Sequence, residues 1–556
     1  MKTLLFDTDT KQVSYEGPDG FVNIPDNKAC LTPSENVVSY PFLCVLGIIK
    51  TCSESKYLFF CSESESLGTF HKDEIFTVLR VSYLPLTDSV QDEMAENVKN
   101  LIENLNFYYT FESVEEHFLW NGDMIKNFKE HVSSDCAVSE ADTSSAKSLS
   151  VGDIPYKFKN IKSQNRAMRS PFSNRFAQAE PKSIDFGKMV IGNMICGYFE
   201  SRSIRENGML YFLKILSRIS IKKIGTRMLS RGVDELGKVS FFVETKFVTK
   251  SDSERVEFVI LRGSVPLYWS QDDPLKPHKI IFDENKEKNG KAFKQHLEKL
   301  QRGYGRIVIV DLLGHRKYEK ILSKRYKDLC LENNVDYVHF DLNKYAENIE
   351  NIKTTFYKQL NAFMIELRNR ERGSSDLKYQ DIGYKQESVC EDFDIHTPSF
   401  ISSVDQESIP INTDNFSSER LESENGWSED SIQEPDSSSF SVTSPQCDFN
   451  DVKVTFRVNC MDCLDRTNIA QYLIFNFFDT FKFSVARSMW VNNGNALSKM
   501  YTGSDALKSE LHAKGKLSVL GRMSDLVISA NRMINNRFTD RDKQNVIDMI
   551  LGKKSS

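Results

Sequence analysis

Seven residues, Cys460 to Arg466 in "KVTFRVNCMDCLDRTNIAQYLIF" (453–475), gather two cysteines, two aspartates and an arginine. Three chemistries use such content. Cys460 and Cys463 form a Cys-x-x-Cys pair, which serves zinc sites and thiol–disulfide exchange. A closed zinc site needs four ligands, and no second Cys-x-x-Cys or spaced His pair accompanies this one. A redox pair leaves Arg466, Thr467 and Asn468 unexplained. Cys460 and Arg466 also stand in the spacing Cys-x5-Arg, followed by Thr467, which suits a phosphate cradle. There a cysteine thiolate is the nucleophile, and the guanidinium holds two phosphoryl oxygens through parallel hydrogen bonds. A proton donor for the leaving alkoxide completes the set. Asp462 and Asp465 are both candidates, because a carboxyl beside a phosphate dianion holds its proton more tightly. The residues do not choose between them. Cys463 reads as a small packed side chain.

Such a loop works only if its flanks position it. "KVTFRV" alternates and is β-branched, so it reads as a strand, and "TNIAQYLIFNFFDTF" carries apolar residues at helical spacing. The seven residues therefore join a strand to a helix N-terminus, whose free N–H groups and dipole attract an anion. Met461, Cys463, Leu464, Thr467 and Asn468 fall within this substrate cradle. Upstream, "RIVIVDLL" (306–313) reads as a buried strand, then a helical stretch follows, then "VDYVHFDL" as another strand. That order implies a parallel α/β sheet. Residues 42–84 read as a β-rich meander, 238–248 and 255–269 as strands, and 292–305 as a helix. The expected fold is α/β: a β-rich N-terminal subdomain, about 1–180, packed on a catalytic domain, about 181–552.

The chain of 556 residues carries 72 Lys and Arg against 78 Asp and Glu, a net charge of −6. The charge is unevenly spread. Residues 386–450 hold fifteen acids, fifteen serines and one basic residue, Arg420, which predicts a disordered acidic insertion. The rest of the chain is then basic, with 71 Lys and Arg against 63 Asp and Glu. The insertion could compete with an anionic surface for those bases. A nucleic-acid partner is not expected from the overall balance. Eleven scattered cysteines fit a reducing compartment. "MKTLLFDTDTKQ" turns acidic too early for a signal peptide, and no apolar run approaches the roughly 20 residues of a membrane span. The bases Arg218, Lys222, Lys223, Arg227 and Arg231 fall at mixed helical spacing and read as a collar for anionic lipid or as a solvated face. The stretch 157–175, with Phe158, Phe172 and Phe176, invites the same reading.

"RVNCMDCLDRTNIAQ" closely resembles the signature of the Sac-domain phosphoinositide phosphatases. So do "SRISIKKIGTRMLSRGVDELGKVSFFVETKFV" (217–248), "LRGSVPLYWSQ" (261–271), "WVNNGNALSKMYTGSDALK" (490–508), "FTDRDKQNVIDMILG" (538–552) and "VLGIIKTCSESKYLFF" (45–60). The resemblance implies hydrolysis of an inositol-ring phosphate monoester, phosphatidylinositol 4-phosphate first, with no cofactor or metal. Cys460 would be the nucleophile, Arg466 the phosphate clamp, Asp462 or Asp465 the acid, and Arg218, Lys223, Arg227 and Arg231 part of substrate binding. It implies a monomer in the cytoplasm, peripheral on the cytosolic face of the endoplasmic reticulum, Golgi or another endomembrane, with room for a recruiting protein. Two departures stand out. Asn343 in "FDLN" replaces a family His, and the members most similar in motif carry two further membrane-spanning helices. A soluble form or a shortened chain would fit the latter. Competing expectations are a protein tyrosine or dual-specificity phosphatase, disfavoured by the missing Trp-Pro-Asp acid loop, and a silent phosphoinositide-binding adaptor.

Overall fold

A computed structural model describes residues 2–136, 191–371, 447–449 and 452–553, apart from short stretches at 18–19, 25–30, 32–35, 52–53, 88–92, 272–278, 346–347, 515–518 and 539. Its frame is a 12-stranded sheet. The antiparallel half begins with Cys44–Lys50, Lys56–Phe70, Asp73–Pro85 and Phe107–Thr110, and continues through Asn193–Glu206, Met209–Ile219, Val243–Lys250 and Arg255–Arg262. The junction is the pairing of Phe107–Thr110 with Asn193–Glu206, so one hydrogen-bonded ladder links both expected subdomains. A four-stranded sheet from residues 2–42 packs against it through Leu4, Phe6, Phe42 and Phe60.

The other half is parallel. Val452–Asn459 lies between Arg255–Arg262 and Ile307–Asp311, and Asp336–His339 closes the edge. Helices cover both faces, which is why Ile307–Val310 is a continuous apolar run. One face meets Ile349–Glu371 and Asp465–Phe478 around Val310, Phe356, Phe456 and Ile474. The other meets Lys286–Tyr304 and Lys317–Glu332 around Phe293, Ile309, Leu322 and Tyr326. The α/β alternation expected over 292–342 and 453–478 is present.

Two expectations differ. Residues 220–242 form no helix among the described residues; they run irregularly from the end of Met209–Ile219, so the mixed helical spacing of their bases organises no helical face. Residues 263–268 leave the sheet after Arg262. Of the acidic insertion, Cys447–Phe449 pairs antiparallel with Val452–Asn459; 386–446, like the basic stretch 157–175, lies outside the described residues. Among the described residues no helix is long and apolar enough to cross a membrane.

Candidate active site

In a parallel sheet the strand C-termini collect loops and helix N-termini, so ligands meet the sheet there. Here three adjacent strands end together. Asp311 pairs in register with both Asn459 and His339. The backbone N–H of Leu312 donates to Asn459 O, and that of Phe340 to Asp311 O, both at 2.9 Å. Asn459 Nδ2 ties the ends sideways by donating to Asp311 Oδ1 at 2.7 Å. Cys460, Leu312–Gly314 and Phe340–Asn343 thus leave one edge side by side.

Cys460 is 2% exposed. Thr467 Oγ1 donates to its Sγ at 3.4 Å, from the first turn of the helix Asp465–Phe478. The loop between them turns at Cys463, whose φ of 55° is uncommon for a residue with a Cβ and costs on the order of 1–3 kcal/mol. Its thiol donates to Cys460 O at 3.6 Å, and burial pushes that thiol up to about 12, with Cys460 adding to the shift. Cys463 is therefore a packed loop residue, as its sequence context indicated. Arg262 braces the loop from inside. It is fully buried and donates to Cys463 O at 3.3 Å and to the side-chain oxygens of Asn468 and Gln471. None of these partners is charged, and burial brings the guanidinium down to about 10. Arg457, also fully buried, spans Gly263 O, Ser264 O, Tyr326 and His296 one strand away.

Both loop aspartates are held by arginines. Asp462 accepts from Arg227 Nη2 at 2.8 Å and Arg231 Nη2 at 2.5 Å. Burial would raise its carboxyl, but the two guanidiniums outweigh that and hold it well below the ordinary carboxylate range. Asp465 accepts from Arg532 Nη1 and Nη2, at 2.8 and 3.0 Å, and from the Leu507 N–H at 2.6 Å. Arg227 and Arg231 thus reach the site through Asp462. Arg218 does not: its guanidinium is held by Glu115 and Glu244. Lys223 adopts a positive φ of 54°, and burial lowers its ammonium; Lys222 pairs with Glu116. The collar's charge is largely paired with protein carboxylates.

Arg466 opens onto a cavity of about 590 Å³, lined also by Gly314, His315, Arg316, Glu319, Asp341, Asn343 and Lys508. Its Nη1 donates to Leu312 O at 3.0 Å and to Glu319 Oε2 at 2.7 Å. Burial opposes its charge, but Cys460 and Glu319 more than compensate. Burial and Arg466 together lower the Lys508 ammonium. Asp341 receives the Asn343 N–H at 3.1 Å and faces His315 Nε2 at 3.5 Å. Asn343, the departure from the family His, is therefore a wall of the cavity. Sequence reasoning passed over Glu319, Asp341, His315, Arg316 and Lys508. The readable signal was that "LLGHR" and "FDLN" each follow a parallel strand directly, as the cysteine loop does. Among the described residues no group of three or more His, Cys, Asp or Glu is placed to hold a metal ion.

The family model for the SacI homology domain matches residues 43–347. The chain is 30% identical over 354 residues to "Inositol-1,4,5-trisphosphate 5-phosphatase 1" of Schizosaccharomyces pombe, covering 61% of this chain and 27% of that protein. It is 29% identical over 385 residues to human "Synaptojanin-2", covering 64% and 20%. With "Phosphoinositide phosphatase SAC3" of Arabidopsis thaliana it shares 28% over 403 residues, covering 65% and 47%. The chain thus spans 27% and 20% of the first two relatives and under half of the third. The matched span covers more than half of the chain and runs from the strand Cys44–Lys50 past Asp336–His339 to Asn343, short of Val452–Asn459 and the Cys460–Arg466 loop, so the chain belongs to the SacI homology domain family.

Proposed function

We propose that this protein hydrolyses a phosphate monoester on the inositol ring of phosphatidylinositol phosphates, with phosphatidylinositol 4-phosphate as first substrate, through a cysteinyl-phosphate intermediate. The observation that carries the reading is the joint placement of Cys460 and Arg466. The thiol lies at a strand end against the helix N-terminus, under Thr467 Oγ1, and Arg466, at the other end of the same loop, opens onto a cavity lined mostly by charged side chains. Names of the relatives, phosphoinositide and inositol phosphatases among them, support the substrate class; the ring position rests on the sequence resemblance alone. Cys460 attacks phosphorus, and the loop N–H groups and Arg466 take up the phosphoryl charge. Arg466 Nη1 is engaged by Leu312 O and Glu319, so the phosphoryl oxygens fall to Nη2 and Nε. His315, Arg316 and Lys508 face the rest of an anionic headgroup.

The substrate lies in a membrane, and the helix Val519–Phe538 supplies the approach. Met523, Leu526 and Val527, at i, i+3 and i+4, are 59, 70 and 60% exposed. The same helix holds Asp465 through Arg532, and its Asp525 accepts the N–H of the cavity residue Lys508. An apolar stripe beside a cationic cavity mouth fits an anionic bilayer surface. Peripheral association with the cytosolic face of the endoplasmic reticulum, the Golgi or another endomembrane is the location that goes with this reading, and the organelle rests on the sequence resemblance alone.

Phosphate release from soluble short-chain phosphoinositides, set against a phosphotyrosine peptide, tests the reading. Release from the lipids and its loss in Cys460→Ser are expected. Preference for the peptide would make this a protein phosphatase, and silence on every substrate would leave a binding adaptor.

A further inference from the structure

The reaction needs a proton donor, and the four carboxylates around the site are not equivalent. Asp462 is held by Arg227 and Arg231, Asp465 by Arg532, and Glu319 by Arg466 and the Gly314 N–H, the last at 2.7 Å. Each of these is fixed as a counter-ion to a guanidinium. Asp341 is the cavity carboxylate that no arginine holds among the described residues; its partners are the Asn343 N–H and the imidazole of His315.

Its place relative to Cys460 follows from the register. Asp311 is level with both Asn459 and His339, so Cys460 stands one residue past that level and Asp341 two, on strands separated only by Ile307–Asp311 and its continuation. Two interstrand spacings put their backbones about 10 Å apart. A thiolate and a carboxyl reaching inward from such positions can stand on opposite sides of one phosphoryl ester. Gly314 keeps the space between open: a Cβ there would lie 3.2 Å from Asn343 Nδ2 and 3.4 Å from Asp341 Oδ1.

We infer that Asp341, rather than either loop aspartate, is the catalytic acid of this phosphatase, an assignment that rests on the phosphatase reading above. In the first step Cys460 Sγ forms a bond to phosphorus as the bond from phosphorus to the ring oxygen breaks. That oxygen takes the carboxyl proton of Asp341 and leaves as a neutral hydroxyl. In the second step Asp341, now a carboxylate, takes a proton from water as the water oxygen bonds to phosphorus. The phosphorus–sulfur bond breaks, inorganic phosphate leaves, and the thiolate and the protonated carboxyl are restored. The bound phosphate dianion favours the protonated carboxyl by like-charge repulsion. His315 and the Asn343 N–H keep the carboxyl aimed into the cavity.

The test is a leaving-group series. Wild type, Asp341→Asn, Asp462→Asn and Glu319→Gln are each assayed on aryl phosphates of rising phenol pKa and on a short-chain phosphoinositide. A donated proton levels the series, so wild-type kcat should depend little on the leaving group. In Asp341→Asn the rate should fall steeply with leaving-group basicity. The loss should be under tenfold for the most acidic phenol and about 10²–10⁴-fold for the alkoxide of the inositol ring. Asp462→Asn and Glu319→Gln should lower all substrates alike. Equal losses across the series in Asp341→Asn, or a steepened series in Asp462→Asn, would overturn the assignment. If Asp341→Asn does not fold, Asp341→Glu retains an acid and should retain the level series at a lower rate; a steep series there refutes the proposal. A wild type that hydrolyses the aryl series but no phosphoinositide would fail the lipid reading while leaving Asp341 to be decided by the aryl series alone.

Discussion

Replacing Asp462 by asparagine should cost stability at neutral pH. The variant keeps the shape of the side chain and removes the charge that faces Arg227 and Arg231. The Arg231 side chain is 2% exposed, so losing its partner leaves a buried cation uncompensated. Removing one member of a buried pair costs about 3–5 kcal/mol. Arg227, with 18% of its side chain exposed, adds less because water reaches it. Domains hold only about 5–15 kcal/mol in all, so urea melts should show a large loss. The pH dependence has a definite sign. The folded carboxyl is depressed by its two arginines, so its contribution is complete above the ordinary carboxylate value. It fades as pH falls toward the lower folded value. The gap between wild type and Asp462→Asn should therefore be full at neutral pH and narrow below about pH 4. Crossing Asp462→Asn with Arg231→Met should recover part of the loss, because the orphaned cation goes too. A variant within about 1 kcal/mol of wild type, with its defect confined to poor leaving groups, would refute this reasoning and return Asp462 to the role of acid.

Other outcomes follow from the same contacts. Glu244 is fully buried and held down to about 2 because Lys246 and Arg218 outweigh its burial. It should contribute roughly 3 kcal/mol that is present above its ordinary value of 4.5 and lost as pH falls toward 2; in Glu244→Gln, melts across that window should lose that part of their acid dependence. Arg466→Lys keeps the charge but not the planar fork, and kcat/KM on a soluble phosphoinositide should drop about 10²-fold or more; near-normal turnover would mean Arg466 does not clamp phosphate. Replacing Met523, Leu526 and Val527 together by serine removes side chains worth about 1.5–3 kcal/mol each on burial, so sedimentation with phosphatidylserine vesicles should weaken at least tenfold. Unchanged sedimentation would remove that helix from the membrane approach.

Much of this was legible because the signals are local. The apolar run 307–310 and the alternation in 453–458 mark strands without knowledge of their neighbours, and Cys-x5-Arg between strand and helix marks the loop. What sequence hid is set by contacts across long separations. Asp462 and Asp465 look like free acids in the chain, yet Arg227 and Arg231 come from more than two hundred residues upstream, and Arg532 from a helix downstream. The basic run 218–231 looked like a helical or solvated face because spacing alone cannot show Glu115, Glu244 and Asp462 waiting opposite. Asp341 and Glu319 follow separate strands, and only the register of three strands brings them to Cys460's edge. Arg262 sits in an apolar-looking strand, where nothing in the pattern distinguishes a surface cation from one buried under the Cys460–Arg466 loop.

The central claim is covalent catalysis by Cys460. Wild-type protein mixed with a short-chain phosphatidylinositol 4-phosphate and quenched in acid within the first turnovers would be digested and its peptides weighed. The account predicts phosphate on the peptide that carries Cys460, enriched in Asp341→Asn if breakdown of the intermediate is slowed more than its formation, and absent in Cys460→Ser. Phosphate on another residue, or turnover that persists in Cys460→Ser, would contradict it.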